Sequence, residues 1–223
     1  LRKGRAGDDM LHWFMLLALV ALQAVPPGPV VRSFDEDKLG LAPPGFEFAS
    51  GREAPLGRWV VQREGASVVL ARVDVPAAPG PQDGFAVAVH ADGRYDTLEI
   101  SVRLKANGGS RAVGLVWKYQ DPENHYSAQL DLGRQALALY RVAGGNRILL
   151  EREDDLELDP DAWHTLRVVN DTGEIRVYLG GIRVFDERDR GGRGTGSAGL
   201  WASGATTASF DDFRITPRTA RGR

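Results

Sequence analysis

Three carboxylates, Glu153, Asp155 and Glu157, alternate in the stretch EREDDLELDPDAWHTLRV, residues 151–168. On an extended strand they share one face, and the outer two Cα atoms stand about 13 Å apart. Long side chains could converge from there toward the ~5–5.5 Å at which a carboxylate pair cleaves a glycosidic bond with retention. Three features oppose that chemistry. The opposite row is Arg152, Asp154, Leu156 and Leu158, so a strand here turns the charge of Asp154 toward the core, which is costly. The flanks, RE and LDPD, supply no apolar or aromatic wall. Asp159-Pro160 then stops a strand at once. The stretch reads as a solvated acidic loop.

A second set has another chemistry. Arg103, Lys118, Gln129, Asp131 and Arg141 are read as lying on the solvent-facing rows of neighbouring strands. Two basic types with an amide and a carboxylate suit a polyhydroxylated or anionic ligand. Trp201 in GLWAS alternates with Leu200 and offers an apolar platform for a sugar ring. His125, at the start of its segment, would line the same rim. The competing reading is a sheet face laced with cross-strand ion pairs. No histidine spacing reads as a zinc motif, and no G-x-S-x-G elbow supports an esterase triad. Trp59, Trp117 and Trp163 read as core residues, with Trp163 closing one end.

The elements that must position these residues are strands. From residue 31 onward period-2 alternation recurs, bounded by Gly, Pro, Asn and Asp. Segments 57–64, 67–74, 85–90, 97–106, 112–120, 125–132, 135–143, 147–153, 162–170, 174–187, 197–203 and 209–216 read as strands. Ile100, Val102 and Leu104 oppose Ser101, Arg103 and Lys105. Val113, Leu115, Trp117 and Tyr119 oppose Gly114, Val116 and Lys118. Each pattern sets one face on a core and one in water. Turn signals every 8–14 residues then predict an all-β fold, a two-sheet antiparallel sandwich or jelly roll. The missing glycine-rich strand–helix junction removes nucleotide-binding α/β folds.

The net charge of −2 gives no electrostatic reason to expect nucleic acid or an anionic membrane as partner. There is no cysteine, which removes disulfides and thiol chemistry. Residues 10–25, MLHWFMLLALVALQAV, form an uncharged apolar run behind Arg2, Lys3 and Arg5. It is short for a spanning helix and fits a secretory signal peptide, with an uncleaved anchor as the alternative. The expected organisation is signal or anchor at 1–25, a linker at 26–32, a sandwich domain at 33–217 and a basic tail at 218–223. A secreted or periplasmic location follows, with membrane contact only through an uncleaved N-terminal segment.

The succession FDED, GRWVVQ, GLVWKYQDPENHY, LALYRV, WHTLRV, IRVYLGGIRVF, AGLWAS and FDDFRI resembles concanavalin A-like lectin/glucanase domains over about residues 33–216. It is most similar to a bacterial secreted group described as laminin-G-like or 3-keto-disaccharide hydrolase-like. The resemblance implies that the first and last strands pair, bringing FDED (34–37) beside FDDF (210–213), with Phe34 and Phe210 as core anchors. Asp35, Asp37, Asp211 and Asp212 would then cluster and supply part of a structural Ca²⁺ site, or else pair with Arg58, Arg214 or Lys38. No other cofactor is expected. The resemblance also implies ligand binding on a concave sheet. The resulting expectation is a monomeric, non-catalytic domain that binds a carbohydrate or cell-envelope polymer through Arg103, Lys118, His125, Gln129, Asp131, Arg141 and Trp201. A glycoside hydrolase or lyase needs a second carboxylate beside Asp131. An envelope module without a small ligand needs a concave face plugged by its own loops.

Overall fold

The structure, a computed structural model, describes residues 27–76, 84–189, 191 and 194–219. The expected signal or anchor at 1–25 lies outside the described residues. Strands are β1 (Val30–Arg32), β2 (Phe46–Gly51), β3 (Arg58–Glu64), β4 (Ser67–Val73), β5 (Phe85–His90), β6 (Leu98–Gly108), β7 (Ala112–Asp121) and β8 (Asn124–Asp131). They continue as β9 (Ala136–Ala143), β10 (Asn146–Glu153), β11 (His164–Asp171), β12 (Glu174–Leu179), β13 (Ile182–Arg188), β14 (Ser197–Ser203) and β15 (Thr207–Pro217). Among the described residues there is no helix.

Two antiparallel sheets face each other. One runs β13-β12-β11-β6-β15-β4-β3 with β1 on β15; the other runs β10-β9-β8-β7-β14-β5-β2. Between them lies one apolar core. Ile100, Val102 and Leu104 of β6 and Leu166 and Val168 of β11 meet Val113, Leu115 and Trp117 of β7 and Leu137 and Leu139 of β9. All are essentially inaccessible to water, as the alternation predicts. Trp59 is stacked between Phe48 and Phe210, each at 5.8 Å.

Both ends of the described segment are tied in. Val30–Arg32, expected in a linker, pairs with β15, Arg32 opposite Phe213. Arg218, expected in a frayed tail, donates its backbone N–H to the Thr97 carbonyl and pairs with Glu99 at 3.5 Å. The first and last strands thus meet as the resemblance implies, and Phe34 and Phe210 are buried. Phe210 and Phe213 both face the core although three residues apart. A regular strand would send them to opposite faces. A bulge between Asp211 and Arg214, with Asp212 at φ 50°, absorbs the extra residue.

A second bulge corrects an expected row. Lys118 has φ 48°, and the pairing of β7 shifts on both sides, between Trp117 and Asp121 and between Ser197 and Gly199. Tyr119 was expected beside Trp117 in the core. The shift turns it to the outer face of the seven-stranded sheet, where it packs with Val116.

The buried Arg72 holds two loops at one end of this sheet. It is 0% exposed and has no carboxylate among its hydrogen-bond partners. Its five N–H groups go to five backbone carbonyls: Leu56, Pro55, Ser203, Gly204 and Thr206, at 2.5–3.1 Å. Burial lowers its pKa to about 10, which leaves the guanidinium charged at neutral pH.

Candidate functional site

The outer face of the seven-stranded sheet carries the cavity. Strand alternation puts Phe85, Val87 and Val89 of β5, Trp201 of β14, Gly114 and Val116 of β7, and His125, Ser127 and Gln129 of β8 on this side. These apolar residues form a cluster separate from the main core. Strands β5 and β8 are three spacings apart, about 14 Å in a flat sheet. Yet the Phe85 and His125 rings lie 5.0 Å apart, so the sheet curls and its side chains lean together. Gly114, between Trp201 and Gln129 in the register, allows the close approach of backbones: a Cβ there would lie 2.0 Å from the Ala128 carbonyl oxygen.

A cavity of about 480 Å³ opens over the β8–β9–β10 side. Its floor is Ala136, Ala138 and Val142 with Phe85 and Trp201; its polar groups come from Gln129, Asp131, Tyr140, Arg134, Arg147 and Arg152, with Arg52 at one end. Arg52 donates to the Gly145 carbonyl, linking the loop after β2 to the β9–β10 turn. Ser110, Ser203 and Thr206 form a hydroxyl cluster beside it.

The polar groups are held before any ligand arrives. Gln129 Nε2 donates to Ser127 Oγ at 2.8 Å, which fixes its amide. Arg147 Nη2 donates to Gln129 Oε1 at 2.8 Å. The guanidinium carbon of Arg147 sits 3.7 Å from the Tyr140 ring centre, a cation–π contact. Asp131 accepts the Arg134 backbone N–H at 2.9 Å and pairs with its side chain at 3.6 Å. Arg152 pairs with Asp154.

His125 is 3% exposed, against Phe85 and Tyr119. Desolvation lowers its pKa to about 4, outweighing a hydrogen bond to the Asp121 backbone and the nearby Asp121 charge. The imidazole is therefore neutral at pH 7. Among the described residues, neither its Nδ1 nor Nε1 of Trp201 has a hydrogen-bond partner. Trp201 is 4% exposed and stacks on Phe85 at 6.3 Å. It is a largely buried part of the cavity floor rather than the open platform expected from the sequence.

Of the seven residues expected to form one site, His125, Gln129, Asp131 and Trp201 line this cavity. The other three do not. Arg103 is on β6, in the eight-stranded sheet, where it pairs with Asp211 and Asp212 at 3.5 Å and lies 5.1 Å from the Trp163 ring. Trp163 is accordingly half-buried on that outer surface rather than in the core. Arg141 shares its row with Leu137 and Leu139 and turns inward. It pairs with Asp189 at 3.4 Å, and Tyr126 donates to the same carboxylate at 2.9 Å, tying the two sheets at one edge. Lys118 is 7% exposed and pairs with Asp96 at 2.9 Å, outside the cavity lining.

The aspartates also take other partners. Asp37 binds Arg32 at 2.8 Å, and Asp211 and Asp212 share Arg103. Asp211 has a raised pKa, mainly from desolvation, with the Asp212 and Asp35 charges adding and an Asp212 backbone N–H and Arg103 opposing. The two acidic pairs do approach one another, but among the described residues no group of three or more His, Asp or Glu is arranged to hold a metal ion. Glu153, Asp155 and Glu157 are exposed; β10 ends at Glu153, and Asp155 has φ 58°. The segment is a loop, docked by Leu156 N–H on the Gln135 carbonyl and by Leu158 N–H on Gln135 Oε1.

Sequence reasoning missed Tyr140, Arg147, Arg134, Arg152 and Arg52. The signal for Tyr140 was present: in LALYRV the apolar row is Leu137 and Leu139, so Tyr140 belongs to the outer row and Arg141 to the inner one.

No family model matches the sequence, and no curated protein matches it. Solved structures do. A carbohydrate binding module, CBM66 from Bacillus subtilis, is similar with a TM-score of 0.61 at 18% identity, over 77% of this chain and 95% of the module. A Bacillus licheniformis β-glucanase gives 0.58 at 13% identity, over 86% of this chain and 99% of the enzyme. A native glycosidic hydrolase gives 0.57 at 15% identity, over 88% and 100%. At such identities the likeness establishes the fold, the jelly-roll sandwich of concanavalin A-like lectins and glucanases.

Proposed function

We propose that the domain is a non-catalytic module that binds a carbohydrate or another cell-surface polymer in the concavity of the seven-stranded sheet. The observation that carries this reading is the cavity of about 480 Å³, in which fixed polar groups on Gln129 and Arg147 stand over an apolar floor. That combination suits a sugar: apolar ring faces pack on the floor while hydroxyls take the hydrogen bonds. The volume fits one or two sugar rings. The similarity to a carbohydrate binding module supports the same reading.

Support for binding over hydrolysis comes from the carboxylates. Among the described residues lining the cavity, Asp131 is the one carboxylate, and it is engaged with Arg134. Acid–base cleavage of a glycosidic bond takes two. An exported location is part of the proposal and rests on the apolar run at residues 10–25.

The test is a glycan array followed by calorimetry on hits. Gln129→Ala removes the amide that orients Arg147 and is expected to weaken binding at least tenfold, with a melting temperature close to wild type. Absence of binding to any plant, fungal or bacterial glycan refutes the proposal. One observation favours a second reading, an envelope module without a small ligand: Val87 and Val116 on this face are fully covered. The same array separates the two.

A further inference from the structure

A second depression borders the cavity already described. It measures about 840 Å³ and lies between the end of β2, the β7–β8 turn and the β9–β10 turn. Ser50, Asp121, Glu123 and Asn146 give it hydrogen-bonding groups, and Arg52 belongs both to its lining and to that of the first cavity. Arg52 is the bar between them. Its guanidinium donates to the Gly145 carbonyl, reaching from the loop after β2, one edge strand of the sheet, to the turn before β10, the other. We propose that the two depressions are one binding groove, and that a saccharide too long for the first cavity displaces the Arg52 bar and lies in both. This rests on the carbohydrate-binding reading above and adds the ligand's length to it.

The backbone supports the assignment. Arg52 and Glu53 have φ 55° and 56°, and among the described residues they are the one consecutive pair of non-glycine residues at positive φ. They form the centre of a tight turn closed by the Ala54 N–H on the Gly51 carbonyl at 3.3 Å. Glycine or asparagine suits both central positions of such a turn, and other side chains adopt them at a cost. The chain on either side is clamped: Gly51 pairs with Phe85 in the sheet, and Arg72 holds the Pro55 and Leu56 carbonyls. The strained turn therefore aims Arg52 across the sheet, and strain of this kind collects where a ligand is held. The acceptor side is fixed as well. Gly145 donates its N–H to the Glu123 carbonyl and Gly144 donates to Asn124 Oδ1, both at 3.0 Å. The bar itself is light. One exposed hydrogen bond closes it, and such a bond nets little against water. Swinging the Arg52 side chain aside joins the two depressions without moving either turn.

The test is calorimetric titration of the protein with gluco-, xylo-, manno- and galacto-oligosaccharides, each as a series of two to six units. Expected is a series that binds, its affinity rising about tenfold or more from the shortest member to the longest. Glu123→Gln combined with Asn146→Ala, both at exposed positions of the second depression, should lower the affinity of the six-unit member about fivefold and leave the two-unit member unchanged. Arg52→Gly removes the bar and relieves the turn. The six-unit member should then bind as tightly as before or tighter, with a melting temperature equal to or above wild type. Affinity that stays flat from two to six units, or an equal loss for both lengths in the Glu123→Gln, Asn146→Ala variant, overturns the groove and leaves carbohydrate binding standing. Weaker binding of the six-unit member by Arg52→Gly overturns the bar. Binding of no series overturns the groove whatever the glycan array shows, and together with an empty array it overturns the carbohydrate-binding reading too.

Discussion

Arg147 and Tyr140 stack diagonally across the β9–β10 hairpin, guanidinium to ring centre at 3.7 Å. The contact sets one wall of the cavity and fixes the arginine that Gln129 then orients. Removing the ring frees the guanidinium to wander. Tyr140→Leu is expected to weaken ligand affinity about five- to tenfold while costing about 1 kcal/mol or less of stability, since the contact is half-exposed. Paired calorimetry and thermal melts check this. Combined with Gln129→Ala, the losses should add to less than their sum, because both act through Arg147.

Arg72 makes the opposite case, a charge whose work is wholly structural. Its five carbonyl partners sit in the loops at 55–56 and 203–206, and Ser203 lines the cavity. Arg72→Met leaves five carbonyls without that donor and is expected to cost roughly 3 kcal/mol or more. Arg72→Lys keeps the charge but brings three donors instead of five and should fall between. Denaturant titration measures both. A neutral Arg72→Met would contradict the account.

Acid stability should carry the signature of His125. Its folded pKa of about 4 lies below the unfolded value near 6.5. Between those values the unfolded chain takes up a proton that the folded chain refuses, so stability falls as pH drops from about 6.5 to 4. The loss is roughly 3 kcal/mol at most. His90, also lowered chiefly by burial, acts in the same direction. Asp211, with a raised pKa, opposes near and below the lower end of the range. His125→Phe, which keeps a ring against Phe85, should flatten the melting temperature between pH 6.5 and 4 relative to wild type. Equal slopes would refute the assignment.

The acidic loop should be inert. Glu153→Gln, Asp155→Asn and Glu157→Gln are expected to leave ligand affinity unchanged and to alter stability by about 0.5 kcal/mol or less, since all three side chains are exposed. Arg103→Gln, on the other sheet, should likewise leave affinity unchanged. Affinity measurements on the four variants check both statements.

What was legible in the sequence was whatever depends on local alternation. Ile100, Val102 and Leu104 face the core as read, and segments 85–90 and 197–203 are strands to the residue. What was not legible is which sheet a strand joins. The NGGS turn between β6 and β7 resembles a hairpin, but the chain crosses there from one sheet to the other, with Gly109 at φ +76° against the Ala205 backbone. That crossing separates Arg103 from Lys118. Bulges were the second blind spot: Lys118 and Asp212 take left-handed φ without a glycine to announce it, and each resets the rows beyond it. Phe85, Val87 and Val89 show the third. β5 is apolar on both faces, so alternation could not reveal that one face borders a cavity.

The most direct measurement is backbone amide shift mapping by NMR as a saccharide hit is titrated in. The account predicts shifts concentrated at Gln129, Tyr140, Arg147 and their neighbours on β8, β9 and β10. Shifts centred instead on β6, β11 and β15 of the opposite sheet would contradict it.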